Sequence, residues 1–303
     1  MSLLLQTAFE LGLISSLVVL ALFLSYSMLN VCDLSTDGCF TLGACTGAVV
    51  AIAGHPYLSI PAAFLAGVLS GLVTSLLQTY VGIDSLLSGI IVNTALFSIN
   101  IAIMGNSSLL NMNKTETVFT IMKELLSDSF LKNRQTLIIA IIAVIIVLIV
   151  LNLFLQTRLG VALRATGNNP AMVKSSSINP NGITIVGLCL SGGICALSGC
   201  LLAQSQKSVN IDIGSGFLTI SLASLLIGRI LSRSDSIPIK SICAVIGTII
   251  FRLIYTIALR LNMPAYMLNL ISSVIVILAI GIPYLRNRYP EIKRRMEARR
   301  ENA

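Results

Sequence analysis

The chain has 303 residues, 55% of them apolar and only 11% charged, with a mean hydropathy of +0.93. Soluble domains carry about 25% charged residues, so this composition excludes a water-soluble enzyme or binding module and predicts an integral membrane protein. The net charge of +8 does not point to nucleic acid, because the basic residues sit in connectors and in a tail at 286–303 whose expected partner is the inner membrane surface.

The seven cysteines are odd in number and lie mostly inside apolar runs, which predicts small buried hydrophobes rather than a disulfide framework. Residues 1–10 lack a basic region and the apolar run continues to Leu29, so the first span, 8–29, is expected to stay in the protein. It leads into Asn30-Val-Cys-Asp33-Leu-Ser35-Thr-Asp37-Gly38, a polar break followed at once by a second apolar run, 40–53. Two readings of the break are open. In one, it is a cytoplasmic turn in which Asp33 or Asp37 caps the next helix. In the other, it is a discontinuous helix lining a translocation path, since irregular backbone at membrane depth survives only when buried in protein or facing a cavity.

A third span, 60–80, follows the lone His55, which has no second His or Cys beside it in sequence and so is not expected to bind metal. Gly43-x-x-x-Gly47 and Gly67-x-x-x-Gly71 predict close helix packing. The fourth span, 86–104, carries Asn93 and Asn100 on one helical face; they line a polar path or bond to neighbouring helices. Residues 106–135 form the longest polar segment and lack a basic bias, which places them outside. Within it, 117–130 has apolar residues at helical spacing and is expected on the membrane surface or against an external partner.

A fifth span, 137–156, delivers the chain to the polar island 157–182. That loop carries Arg158, Arg164 and Lys174 and no acid, the mark of a cytoplasmic connector. Val161–Ala165 suits a helical turn. Gly167-Asn168-Asn169-Pro170 reads as a stop and restart, with Pro170 opening a second short helix that ends near Ile178. Two helical pieces in one connector predict a surface offered to a soluble partner.

In the next span, 183–204, Leu190-Ser191-Gly192-Gly193 matches the start of the signature of ATP-binding cassette ATPases. It lies among apolar residues at mid-span, however, and the chain has no Gly-Lys pair and so no phosphate-cradling loop. Small-residue packing accounts for it. A short apolar run, 217–227, precedes the basic connector 228–240. The eighth span, 241–258, holds Arg252, which must face the bundle, a polar group or a cavity, or snorkel to an interface. A ninth span covers 266–282. The expected architecture is an all-α polytopic transmembrane bundle of about 8–10 spans with one or two broken or re-entrant segments. It forms one permease domain over 1–285, with the amino terminus outside and the carboxyl terminus in the cytoplasm.

Three stretches carry a family resemblance. Asp33-Leu-Ser-Thr-Asp-Gly-Cys-Phe-Thr-Leu-Gly43, the loop from Gly160 to Ile178, and Gly247-Thr-Ile-Ile-Phe-Arg-Leu-Ile254 with Leu259-Arg-Leu261 resemble segments of permease subunits of bacterial ATP-binding cassette importers of the branched-chain amino acid and ribose class. Within that class the chain is most similar to permeases for tryptophan and related amino acids. Ser177 departs from the pattern where the loop usually has Gly, and Arg229 departs where an acidic residue is expected. The resemblance implies a bacterial inner-membrane permease without its own ATPase or cofactor. ATP is bound by partner subunits that dock on Arg164, Ala165, Thr166, Gly167, Asn168, Asn169, Pro170 and Lys174. A second permease copy and an external substrate-binding lipoprotein complete the assembly.

Asp33, Ser35, Asp37, Asn93, Asn100 and Arg252 are the expected translocation-path residues, and Gly167→Trp is expected to abolish uptake while folding survives. The solute implied is a small polar one, an aromatic amino acid such as tryptophan, with nucleosides or sugars as the alternative. An ion-coupled secondary carrier is the rival mechanism. An intramembrane enzyme would need a catalytic pairing that the single His does not provide.

Overall fold

The computed structural model describes residues 2–113, 115–125, 135–232, 234, 236–260 and the isolated positions 270, 273, 274, 277 and 281. The predicted ninth span falls almost wholly outside the described residues, and the tail 286–303 and residues 126–134 of the predicted external loop fall wholly outside.

Helix α1 (Ser2–Leu22) ends in a π-helical turn, Phe23–Met28, and α2 covers Thr36–Ile52. Helix α3 (Pro56–Leu76) also ends in a π turn, Leu77–Val81, and α4 covers Ser85–Ile103. After strand β1 (Leu109–Asn111) come α5 (Val118–Leu125), α6 (Gln135–Gln156), α7 (Arg158–Asn168), α8 (Pro170–Ser175) and α9 (Pro180–Gln206). Strand β2 (Ser208–Asn210), α10 (Phe217–Leu231) and α11 (Ile237–Arg260) follow. The molecule is a polytopic helical bundle. Among the described residues six helices are long and apolar enough to cross a membrane, and α2 and α10 are apolar but shorter. At about 1.5 Å per residue, the 17 residues of α2 and the 15 of α10 fall short of the ~30 Å hydrocarbon core.

The bundle is organised round α1 and α9. In each, 72% of the apolar window is buried, against 17% in α6 and 28% in α4, so α4 and α6 are the outer helices. Both Gly-x-x-x-Gly pairs pack against α9. A Cβ on Gly43 or Gly47 would strike Ala196 or Cys200, and one on Gly67 or Gly71 would strike Gly192 or Leu188. The approach is reciprocal, because Gly192 meets the Gly67 carbonyl and Gly199 the Phe40 carbonyl. Small residues on three helices thus let backbones come into contact where side chains would hold them apart. Ser191 Oγ donates to the Ala21 carbonyl at 2.9 Å and Ser198 Oγ to the Ile14 carbonyl, so the ATPase-like tetrapeptide is helix packing. All seven cysteines are free thiols.

Contacts between distant loops fix two ends. At one end, Gly167 of α7 lies against Met28 and Leu29, and Asn181 Nδ2 donates to the Thr79 carbonyl. At the other, β1 and β2 pair antiparallel, Leu110 opposite Val209, and cover Met112 and Ala203. The long polar segment and the 204–215 turn therefore share a face, joined by a ribbon that an all-helical expectation omits. Helix α5 is also better anchored than a membrane-surface helix. Phe119 is buried in the core, and the Val118 N–H donates to Oε1 of the fully buried Gln204, whose Nε2 donates to Ser59 Oγ.

Candidate functional site

The two short helices are halves of one construction. Gly38, in the first turn of α2, faces Asn93 and Leu96 at the middle of α4. Cys39 and Cys195 likewise bridge that turn to the middle of α9, through the carbonyls of Gly192 and Thr36. The start of α2 is therefore at membrane depth. The start of α10 is beside it, with Gly214 against the Asp37 carbonyl and Phe217 stacked on Phe40 at 4.3 Å.

Asp37 links the two breaks. Its Oδ1 accepts from the Leu218 N–H at 2.7 Å and its Oδ2 from the Gly216 N–H at 3.1 Å, so a carboxylate from α2 caps a helix 180 residues away in sequence. The first N–H groups of a helix have no partner within it and carry its positive end, and here the carboxylate supplies the acceptor. Asp33 serves only its own break. Its Oδ1 accepts from both the N–H and Oγ of Ser35, at 2.9 and 2.6 Å, and Thr36 Oγ1 donates to its carbonyl. Asp33 and Ser35 are buried and do not face the cavity described next.

That cavity, of about 190 Å³, lies between α2, α4 and the descending segment before α10; it is lined by Asp37, Gly38, Thr41, Asn93, Phe97, Asn100, Ile211, Asp212 and Ser215. Asn100 Nδ2 donates to the Gly38 carbonyl at 3.3 Å. Arg252 lies on the opposite side of the junction. It is buried, its Nη2 donates to Ser15 Oγ at 2.7 Å, and its guanidinium lies 5.6 Å from the Phe217 ring centre and 5.8 Å from that of Tyr255. It therefore holds α11 to α1 and to the first residue of α10, and it does not snorkel.

At the other end, α7 and α8 form the polar island. Thr157 Oγ1 caps α7 by accepting from the Gly160 N–H, and Asn169 Oδ1 caps α8 by accepting from the Met172 N–H. Both helices therefore start on a side-chain cap. Arg164 is turned inward, with Nη2 directed at the Leu155 carbonyl at the end of α6, where a cation suits the helix dipole. Thr166 is buried and donates to the Ala162 carbonyl. Gly167 cannot take a side chain, because its Cβ position is blocked by the Met28 carbonyl and by Leu29. The expectation for Gly167→Trp is therefore corrected: a bulky residue there displaces α7 and breaks the fold. What α8 offers outward is Met172, Lys174 and Asn169, with Val173 its one buried residue.

A family model for the branched-chain amino acid transport system permease component matches residues 4–280. The chain belongs to this permease family. It is 34% identical over 269 residues to the tyrosine transport system permease protein of Clostridioides difficile, covering 88% of this chain and 86% of that one. It is also 29% identical over 281 residues to an uncharacterised protein of Rickettsia prowazekii, covering 91% and 96%. The solved structure of PsaBC from Streptococcus pneumoniae in complex with Fab aligns over 94% of each chain with a TM-score of 0.54 at 15% identity, a likeness of fold.

In this permease, three of the six predicted path residues, Asp37, Asn93 and Asn100, line the cavity; Arg252 lies behind it, and Asp33 and Ser35 are buried in the break before α2. Thr41, Asp212 and Ser215 complete the polar part of the lining and were not expected from the sequence. Only a carboxylate's partners in space identify it as a cap, and those partners are remote in the chain.

The two departures from the family pattern have physical readings. Ser177 has φ 61° and stands just past α8, where the Ile178 N–H bonds to the Val173 carbonyl and the Ser177 N–H to that of Lys174. This is a Schellman end, whose left-handed position favours Gly, so Ser177 carries backbone strain. Arg229 is exposed in the last turn of α10, where its positive charge suits the negative end of the helix dipole as an acidic residue would not.

Proposed function

We propose that this chain is the membrane subunit of an ATP-driven importer for an aromatic amino acid, working with separate ATPase subunits, an external binding protein and a second permease copy. The observation that carries the reading is the α7–α8 pair. It is a capped, two-helix lever, exposed on α8 and seated without slack on the ends of α1 and α6 through Gly167 and Arg164. A connector with that construction suits a docking surface whose displacement is passed directly to the bundle. Family membership and the name of the tyrosine transport relative support the importer class and the aromatic solute.

The α7–α8 end is cytoplasmic in this account, because Arg158, Arg164 and Lys174 lie there without an acid. The β1–β2 end then faces the binding protein. The exposed apolar faces of α4 and α6 meet lipid or the second copy. ATP-driven closure of the ATPases moves α8, α7 drags the ends of α1 and α6, and access at the α2–α10 junction switches sides. An ion-coupled carrier fits less well, because Asp33 is closed off by Ser35 and Asp37 is bound to the start of α10.

The test is to solubilise the membrane gently, capture the tagged chain and identify its companions by mass spectrometry. The expected result is a P-loop ATPase in stoichiometric amount. Recovery of the chain alone, under conditions that keep a known importer complex together, would overturn the reading.

A further inference from the structure

The cavity at the α2–α10 junction has a one-sided chemistry. Among the described residues its polar lining consists of Asp37, Thr41, Asn93, Asn100, Asp212 and Ser215, with two carboxylates and no Lys, Arg or His. Two of its side-chain donors are committed to backbone. Thr41 Oγ1 donates to the Asp37 carbonyl at 3.0 Å, and Asn100 Nδ2 to the Gly38 carbonyl.

Asn100 is the decisive residue. It is 1% exposed. Since the Gly38 carbonyl can only accept, it fixes which end of the amide is nitrogen, and so Oδ1 is the end left over. That oxygen is buried and has no hydrogen-bond partner. Asp37 gives one lone pair from each oxygen to α10 and keeps the others, since a carboxylate has about four acceptor sites. Asn93 and Ser215 can still donate, but the buried unfilled capacity, at Asn100 Oδ1 and the remaining Asp37 lone pairs, is acceptor capacity, and the two carboxylates make the lining negative. Neutral water can fill the volume but does not balance two carboxylates; a cationic donor group does both.

We propose that this cavity binds the ammonium group of an amino acid as the solute enters from the β1–β2 end. Asn100 Oδ1 and the free lone pairs of Asp37 accept its protons, and Asp212 at the rim draws it in by charge. Only the identification of the bound group as part of the transported solute rests on the importer reading; the ammonium site itself does not need it.

A thiol reporter tests the site on the full chain in its native membranes. Ser215→Cys places the thiol on the exposed part of the lining, and labelling of the parent protein supplies the background from the native cysteines. Methanethiosulfonate ethylammonium is expected to react about tenfold faster than the ethylsulfonate of similar size, by focusing of charge in a negatively lined cleft. Methylammonium and L-phenylalanine should slow the reaction, whereas sodium at equal ionic strength and N-acetyl-L-phenylalanine should not. Asp212→Asn, an exposed substitution that leaves packing intact, should reduce the charge preference, and Asn100→Leu should remove the protection.

Equal rates for the two reagents would overturn the proposal, as would equal protection by sodium or protection by the N-acetylated compound. Should Asn100→Leu fail to fold, the Ser215→Cys comparison of L-phenylalanine with its N-acetyl form decides alone. A chain that shows ammonium protection but no ATP-dependent uptake keeps the site and loses the importer reading; the reverse loses the site alone.

Discussion

The α2–α10 junction and the α7–α8 connector are both polar interruptions in an apolar chain, yet they use their polar groups in opposite ways. At the junction the side chains are largely spent on partners within the protein. Asp33 closes its own turn, Asp37 caps a remote helix, and Arg252 ties Ser15 to the first residue of α10. In the connector, side chains cap α7 and α8 and anchor α7 to its neighbours, and the outward face of α8 is left unspent. A bilayer has no water to satisfy an open N–H, so a break at depth must be sealed by protein, whereas a connector in water can leave groups for a partner. Sealed groups should therefore govern stability, and unspent ones function.

The largest effect is expected at Asp37. Asp37→Ala leaves the Gly216 and Leu218 N–H groups without an acceptor, at about 1–3 kcal/mol each. Asp37→Asn keeps one acceptor oxygen and should fall between. Yield of monodisperse protein in detergent and its melting temperature read this out; an Asp37→Ala chain as stable as the parent would remove the capping role.

Next come the glycines round α9. Gly192→Val drives a side chain into the Gly67 backbone and should cost about 1–3 kcal/mol or more. Gly182→Ala, with nothing near its Cβ position, should leave the melting temperature unchanged or slightly raised. Equal losses from the two would contradict packing as the reason for the first.

The connector should behave oppositely. Met172→Asp on the outward face of α8 is expected to leave melting unchanged and to lower uptake by about tenfold or more, as loss of an anchoring contact does. A stability loss without an uptake loss would place Met172 with the structural residues. The smallest effect is expected at Ser177. Relief of left-handed strain, roughly 1–2 kcal/mol, less the entropy glycine adds to the unfolded chain, roughly 0.4–1 kcal/mol, leaves Ser177→Gly more stable by on the order of 0.5 kcal/mol. A thermal shift in the opposite direction would show that the strain is absent.

Much of this architecture was legible in the sequence. Apolar runs located the spans to within a few residues, because hydrocarbon thickness dictates their length. Residues 33–38 and the run from Phe217 were recognisable as interruptions because their polarity or brevity breaks that rule. Pro170 and Asn169 marked the start of α8, since capping chemistry is local. What could not be read was pairing across distance. Nothing near Asp37 announces Leu218, nothing near Gln204 announces Ser59 and Val118, and a three-residue ribbon between Leu109–Asn111 and Ser208–Asn210 leaves no periodic trace. Gly167 sits in the stretch for which the resemblance implies docking, and only its neighbour Met28 reveals that it also packs against the end of α1.

The central claim is that ATP, and not an ion gradient, drives solute through this bundle. The direct measurement uses proteoliposomes holding the chain with the proteins that co-purify with it, loaded internally with ATP and offered labelled tyrosine together with the external binding protein. The account predicts accumulation that requires internal ATP and persists when a protonophore is added and sodium is removed. Accumulation without ATP that collapses with the ion gradient would contradict it.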